Sequence, residues 1–77
     1  MGKTVKKPLN RIRVVLAEKD RPNKWLAKVL KVTPGTVSKW CGNKVQPSLE
    51  TLAEIAKVLE VDISELLNRT IENNSLN

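Results

Sequence analysis

Residues 25–40, WLAKVLKVTPGTVSKW, contain two short helical patterns that are separated by only three residues, 31–33. The second pattern begins with Thr33, which can cap a helix N-terminus, and Pro34, whose missing N–H costs nothing at the first helical position. The Gly-Asn pair at 42–43 is typical of a helix end, because both residues tolerate the left-handed conformation. Two helices joined in this way predict a helix-turn-helix.

One helix is predicted before this pair, over residues 9–19, and one after it, from Pro47-Ser48 to about residue 59. In the first, Ile12, Val15 and Leu16 lie on one face, and the turn residues 20–23 end the helix. In the later helix the predicted buried stripe consists of Leu49, Leu52, Ile55, Ala56 and Leu59. Sustained strand patterns are absent from the sequence.

A short fifth helix is predicted from Asp62, which makes a capping-box pattern with Glu65 three residues later. The apolar residues expected to close the core there are Ile63, Leu66 and Leu67. The sequence therefore predicts an all-α, compact five-helix domain over residues 9–67. A flexible basic N-terminal arm, 1–8, precedes it, and a polar C-terminal tail, 68–77, follows it and is expected to fray.

The charge of the chain is strongly polarised along its length. The net charge of the 77 residues is +6, with a pI of about 9.8. Residues 1–44 hold twelve Lys and Arg against two acidic residues, a net +10, whereas residues 45–77 hold two against six, a net −4. A domain with one basic side is suited to bind a polyanion such as nucleic acid.

Several classes of site are disfavoured by composition. The chain has no histidine and one cysteine, Cys41, so an intrachain disulfide and a Cys/His zinc site are excluded. No nucleophile–base pair is apparent, and we expect no enzymatic activity, no cofactor and no metal. The sequence contains no apolar run long enough for a signal peptide or a membrane span, and an unpaired thiol is typical of a reducing interior. We therefore expect a cytoplasmic, nucleoid-associated protein of bacterial or phage type without membrane contact.

Three segments together resemble the Cro/lambda-repressor-type (XRE) helix-turn-helix family of bacterial and phage regulators. They are NRIRVVLAEK at 10–19, WLAKVLKVTPGTVSKW at 25–40 and QPSLETLAEIAKVLEVDISELL at 46–67. Within this family the chain is similar to a variant with Trp-Cys at the end of the recognition helix. The resemblance implies binding to double-stranded operator DNA, transcriptional regulation of repressor type and a homodimer, with the fifth helix and the tail as its surface.

The helix from Pro34 has the features of a recognition helix, because its front carries small or hydrogen-bonding side chains that let the backbone approach base edges. The residues predicted to face the bases are Pro34, Gly35, Thr36 and Lys39. By resemblance, Asn23 at the start of the second helix and the loop residues Asn43 and Lys44 contact DNA phosphates, and we place Thr33 with them.

Alternatives stay open for several residues. Lys39 reads guanine through O6 and N7, contacts a phosphate or is a solvated surface lysine. Thr36 either touches a base or thymine methyl or is a plain surface threonine. Trp40 is predicted to lie in the core, whereas Trp25 either covers the loop after the recognition helix or joins a partner surface. Cys41 is interpreted as a small, partly buried residue in preference to a redox switch. The lysines at 3, 6 and 7 either contact DNA or belong to a solubilising tail.

The chain departs from the family pattern at three places. Lys31 stands where a glycine is common, so either it is strained in the left-handed conformation or the turn differs slightly, and residues 41–43, Cys-Gly-Asn, replace the usual Glu-Asn-Gly. Pro34 and Gly35 are poor hydrogen-bond donors at positions where many relatives carry Gln or Ser, so base readout is expected to depend on Thr36, Lys39, water and DNA shape. A rival function is an antitoxin or another protein-interaction module with secondary DNA binding. That function requires a protein partner and an exposed apolar patch around Trp25, Val29 or Leu76.

Overall fold

The computed structural model describes residues 8–69, which fold into four α-helices and one turn of 3₁₀ helix. The helices are α1 (Ile12–Glu18), α2 (Asn23–Leu30), α3 (Pro34–Cys41) and α4 (Leu49–Leu59), and the 3₁₀ turn is Ile63–Leu66. The prediction of an all-helical fold is confirmed, whereas the prediction of five α-helices is wrong at the last element. The predicted domain limits at 9 and 67 stay a prediction, and Asn68 donates its backbone N–H to the Leu9 carbonyl at 2.9 Å.

The first helix begins at Ile12, three residues later than the predicted start. Asn10 lies in an isolated antiparallel bridge with Leu67, which holds this part of the chain extended. The Asn10 Oδ1 accepts the Ile12 N–H at 3.0 Å and so replaces a bond that a preceding helical turn would supply. A short amide side chain that bonds its own neighbouring backbone favours a helix start over a helix interior.

The segment after α4 also differs from the prediction. The Asp62 carboxylate accepts a hydrogen bond from the Ser64 hydroxyl at 2.9 Å and does not cap a backbone N–H, so the predicted capping box with Glu65 is not formed. The helical turn ends at Leu66, because Leu67 adopts the extended conformation that pairs with Asn10. Leu67 is consequently 41% exposed and does not close the core, whereas Leu66 is fully buried.

The core lies between α1, α2, α3, α4 and the 3₁₀ turn. Its buried apolar members are Ile12, Val15, Leu16, Leu26, Ala27, Val37, Trp40, Cys41, Leu52, Ile55, Ala56, Leu59 and Leu66. The predicted stripe of α4 is buried except for Leu49, the first residue of the helix, which is 72% exposed. The prediction that Trp40 lies in the core is confirmed, since only 7% of it is exposed.

The turn between α2 and α3 has the first of the two conformations that the sequence left open. Lys31 adopts a left-handed backbone with φ 62°, and the following Val32 N–H donates to the Ala27 carbonyl at 3.0 Å. A residue with a Cβ is strained in this region, by about 1–2 kcal/mol. The turn directs α3 across α2, so that α3 is held by its apolar side and presents the opposite side to solvent.

Candidate nucleic-acid interface

The outer face of α3 is formed by small or uncharged residues together with one lysine. Val37, Trp40 and Cys41 are buried, whereas Pro34, Gly35, Ser38 and Lys39 are exposed. Gly35 and Lys39 are four residues apart and therefore lie on the same side of the helix, opposite the core. Three of the four predicted base-facing residues, Pro34, Gly35 and Lys39, are thus brought together on the exposed face.

Nothing in the fold requires a glycine at position 35. The backbone of Gly35 has a negative φ, and a Cβ built on it meets only the Thr33 Oγ1, at 3.8 Å. An alanine there is compatible with both the backbone and the surrounding atoms. What Gly35 does contribute is a surface without a side chain in the middle of the exposed face.

Thr33 caps α3, as the sequence predicted. Its Oγ1 accepts the Thr36 N–H at 3.1 Å, and the two hydroxyl oxygens are 2.9 Å apart and share a further hydrogen bond. Thr33 is exposed and Thr36 is half-buried. Thr36, the fourth predicted base-facing residue, is therefore hydrogen-bonded to Thr33, one of the predicted phosphate contacts.

Asn23, a second predicted phosphate contact, is the first residue of α2 and is half-buried. Its Oδ1 accepts a long hydrogen bond from the Cys41 thiol, at 3.7 Å. Because Cys41 ends α3, Asn23 lies beside the C-terminal end of that helix. Cys41 itself is buried more completely than the partial burial that was predicted. This burial raises the pKa of its thiol, and nearby Arg13 opposes the rise.

Asn43, which the sequence placed among the phosphate contacts, has an internal role that the sequence did not predict. Its Oδ1 accepts the backbone N–H groups of Leu9 at 3.0 Å and Asn10 at 2.9 Å, and the Gln46 amide at 3.1 Å. Its Nδ2 donates to the Asn10 carbonyl at 3.2 Å. The loop after α3 is therefore fastened to the segment that precedes α1. Lys44, the last predicted phosphate contact, lies in this loop and is exposed.

Asn10 is the buried partner of this arrangement and was not singled out from the sequence. Only 2% of it is exposed, and its Nδ2 donates to the Trp40 carbonyl at 2.9 Å and to the Gln46 side chain at 2.8 Å. We call Asn10, Asn43 and Gln46 the amide cluster. Ser38 was also missed, although its place one turn after Gly35 on the exposed side follows from helical periodicity.

A family profile described as the Cro/C1-type HTH DNA-binding domain matches residues 11–72, most of the chain. The chain belongs to this Cro/C1-type family. It is also similar to the crystal structure of a "putative DNA-binding protein" from Bacteroides fragilis, with 53% identity and a TM-score of 0.77 over 78% of this chain and 97% of that one. No curated protein matches the chain.

The Cro/C1-type domain carries its predicted contacts around both ends of α3. Thr33 lies at the N-terminal end, and Asn23, Asn43 and Lys44 lie around the C-terminal end. Backbone N–H groups at the start of α2 add donors of the kind that bind anions. At the start of α3, Pro34 has no N–H and the Thr36 N–H is used by the Thr33 cap. The predicted lysines at 3, 6 and 7 lie outside the described residues.

The surface that a protein-interaction module would use is only partly available in this Cro/C1-type domain. Trp25 is half-buried against the core, and the guanidinium of Arg21 lies 4.7 Å from its ring centroid, in a cation–π contact. Val29 is 40% exposed, and Leu76 lies outside the described residues. Between residues 8 and 69, no helix is both long and apolar enough to cross a membrane.

Proposed function

We propose that this Cro/C1-type domain is a sequence-specific, repressor-like transcriptional regulator that reads the major groove of double-stranded operator DNA with α3. The observation that carries the proposal is the outer face of α3, which has no acidic residue and no long side chain except Lys39, and which is flat at Gly35. The net charge of +10 on residues 1–44 supplies the attraction to phosphates.

In this proposal Pro34, Gly35, Thr36 and Lys39 contact bases. Asn23, Thr33, Asn43 and Lys44 contact phosphates on both sides of the groove. For Asn43 the contact comes from the amide N–H that does not bond Asn10, because its Oδ1 already accepts three hydrogen bonds. The exposure of Lys39 and Lys44 supports their roles, since each ammonium is free to reach a groove or a backbone.

A cytoplasmic homodimer is part of the proposal. One helix as short as α3 reads only a few base pairs, so useful specificity requires two half-sites about 34 Å apart. The partly exposed Leu67 beside the 3₁₀ turn supports an apolar contact there, on the surface that the family resemblance implies. We expect sedimentation at high concentration to show a dimer, and we expect the selected sites to contain a repeated half-site. A monomer that selects unrepeated sites would contradict the dimer.

The test begins with selection of bound sites from a random DNA pool and then compares two lysine variants. Lys39→Ala is expected to weaken the free energy of binding to the preferred site by roughly 1–3 kcal/mol and to relax the base preference at one or two positions of that site. Lys44→Ala is expected to weaken all DNA about equally and to lower the slope of log affinity against log salt by about one unit.

Both variants must keep the helical signal and melting temperature of the parent before they are compared. An unchanged ranking of sites for Lys39→Ala would make Lys39 a phosphate contact and leave base readout to Thr36 and DNA shape. A salt slope near zero for the parent protein would reject the proposal that it binds DNA.

A further inference from the structure

The hydroxyl groups of Thr33 and Thr36 are hydrogen-bonded to each other and have two protons between them. The Thr33 Oγ1 accepts the Thr36 N–H at 3.1 Å, and the two Oγ1 atoms are 2.9 Å apart, with either one able to donate. Each hydroxyl has one proton and two lone pairs. One of the two protons is used between the oxygens, so the pair offers only one hydroxyl proton to any third group.

Resting on the proposed function, we propose that Thr33 makes Thr36 a hydrogen-bond acceptor, so that α3 recognises an exocyclic amino group of adenine or cytosine at this position. A phosphate oxygen is an acceptor only, so Thr33 binds it by donating its single proton. Thr36 must then donate to the Thr33 Oγ1, and it presents only lone pairs to the groove.

The chemistry of the major groove gives this arrangement a definite partner. Adenine N6 and cytosine N4 are the donors on base edges there, whereas guanine O6 and N7 and thymine O4 are acceptors. A hydroxyl that has no proton left binds the amino groups and not the carbonyl oxygens. The residue that determines this preference is thus Thr33, although Thr36 touches the base.

The chain contains a second hydroxyl pair with the same distances at the start of α4. The Ser48 hydroxyl donates to the Thr51 Oγ1 at 2.9 Å, and the Ser48 Oγ accepts the Thr51 N–H at 3.1 Å. This pair caps a helix that does not belong to the proposed reading face. Substitutions at Ser48 therefore report the loss of a cap alone and serve as matched controls.

The experiment deletes single groups from DNA at the position of the selected site that is most sensitive to Thr36→Val. Replacing adenine with purine, or cytosine with pyrimidin-2-one, removes the amino group. Replacing the opposite thymine or guanine with its thiocarbonyl analogue changes the acceptor. For the parent protein, loss of the amino group is expected to reduce affinity on the order of tenfold, and the thiocarbonyl change to have less than a twofold effect.

Three variants test the role of Thr33. The affinity of Thr36→Val for DNA should not change when the amino group is removed. Thr33→Asn, whose side chain supplies both an acceptor for Thr36 and a donor for the phosphate, should keep the tenfold effect. Thr33→Ala leaves the Thr36 hydroxyl free to rotate and donate, so the loss of affinity on removal of the amino group should fall to about threefold or less. Ser48→Ala should keep the tenfold loss while lowering the stability of the fold by a similar amount.

The inference is overturned if the parent protein responds to the thiocarbonyl change and not to the amino deletion. It is also overturned if no position of the selected site responds to Thr36→Val, or if folded Thr33→Ala keeps the full amino effect. Should Thr33→Ala not fold, Thr33→Asn decides the matter, because loss of the amino effect in that variant contradicts the proton count. Failure of the proposed function is separate, since the parent protein would then select no site.

Discussion

Replacement of Gly35 by alanine is expected to stabilise the fold while weakening DNA binding. The backbone at this position has no positive φ, and the new Cβ meets only the Thr33 Oγ1, at the ordinary contact distance of 3.8 Å. Under these conditions a Gly→Ala change stabilises a protein by about 0.4–1 kcal/mol, chiefly because the unfolded chain loses freedom. In a domain of this size the gain raises the melting temperature by roughly 2–8 °C.

The expected effect on DNA has the opposite sign. Gly35 lies on the outermost line of α3 with Lys39, so a methyl group there separates the helix from the base edges. A methyl group that prevents base contacts elsewhere on the helix is expected to weaken the free energy of DNA binding by about 1–3 kcal/mol, as much as the loss of one hydrogen-bonded contact to a base. Fluorescence anisotropy with the selected site and with random DNA measures this loss, which should be larger on the selected site.

Gly42→Ala is the matched control, because Gly42 follows the last residue of the same helix. Its φ is −83°, and a new Cβ there lies 3.4 Å from the Ser38 carbonyl oxygen, so alanine is accommodated. This variant should leave the ranking of selected sites unchanged. If Gly35→Ala destabilises the protein, the fold does require a glycine at this position. If the variant binds the selected site as tightly as the parent, the flat surface at Gly35 has no role in base reading.

Two further predictions concern the support of the site. Asn10→Ala removes the side chain that bonds the Trp40 carbonyl and the Ile12 N–H in a buried position, so urea unfolding should show a loss of about 2–4 kcal/mol. The exposed Gln46→Ala should lose less than about 1 kcal/mol, and equal losses would contradict the central place of Asn10 in the amide cluster. Burial raises the pKa of Cys41 above its ordinary 9.0, so the folded state keeps the thiol proton longer than the unfolded state. Stability relative to Cys41→Ser should therefore fall as pH rises above that value, and a constant difference would show that the thiol is not shielded.

Local signals explain why the central helices could be predicted from the sequence. Thr33 and Pro34 define the start of α3 through bonds made within three residues, and Lys31 adopts the left-handed conformation, one of the two alternatives for that turn. The errors at α1 and after α4 have a common cause. Asn10 and Leu67 pair across 57 residues of chain, and no pattern within either segment indicates that the other is its neighbour.

The exposed face of α3 was predictable for the same reason, since periodicity alone separates Gly35 and Lys39 from Val37 and Trp40. The internal role of Asn43 was not, because its partners Leu9 and Asn10 are more than thirty residues away in the chain. From the sequence an exposed asparagine after a helix is equally suited to a phosphate and to a neighbouring backbone.

The loop after α3 connects the proposed reading of bases to the proposed grip on the backbone. The Lys44 N–H donates to the Lys39 carbonyl at 3.0 Å, and Asn43 donates its N–H to the Trp40 carbonyl at 3.0 Å. The side chain of Asn43 then fastens this loop to the segment before α1. Because one main-chain hydrogen bond joins Lys39 to Lys44, the backbone positions from which the two side chains extend are fixed relative to each other. In the proposed complex, the folded loop and the amide cluster therefore limit the distance between a base bound by Lys39 and a phosphate bound by Lys44.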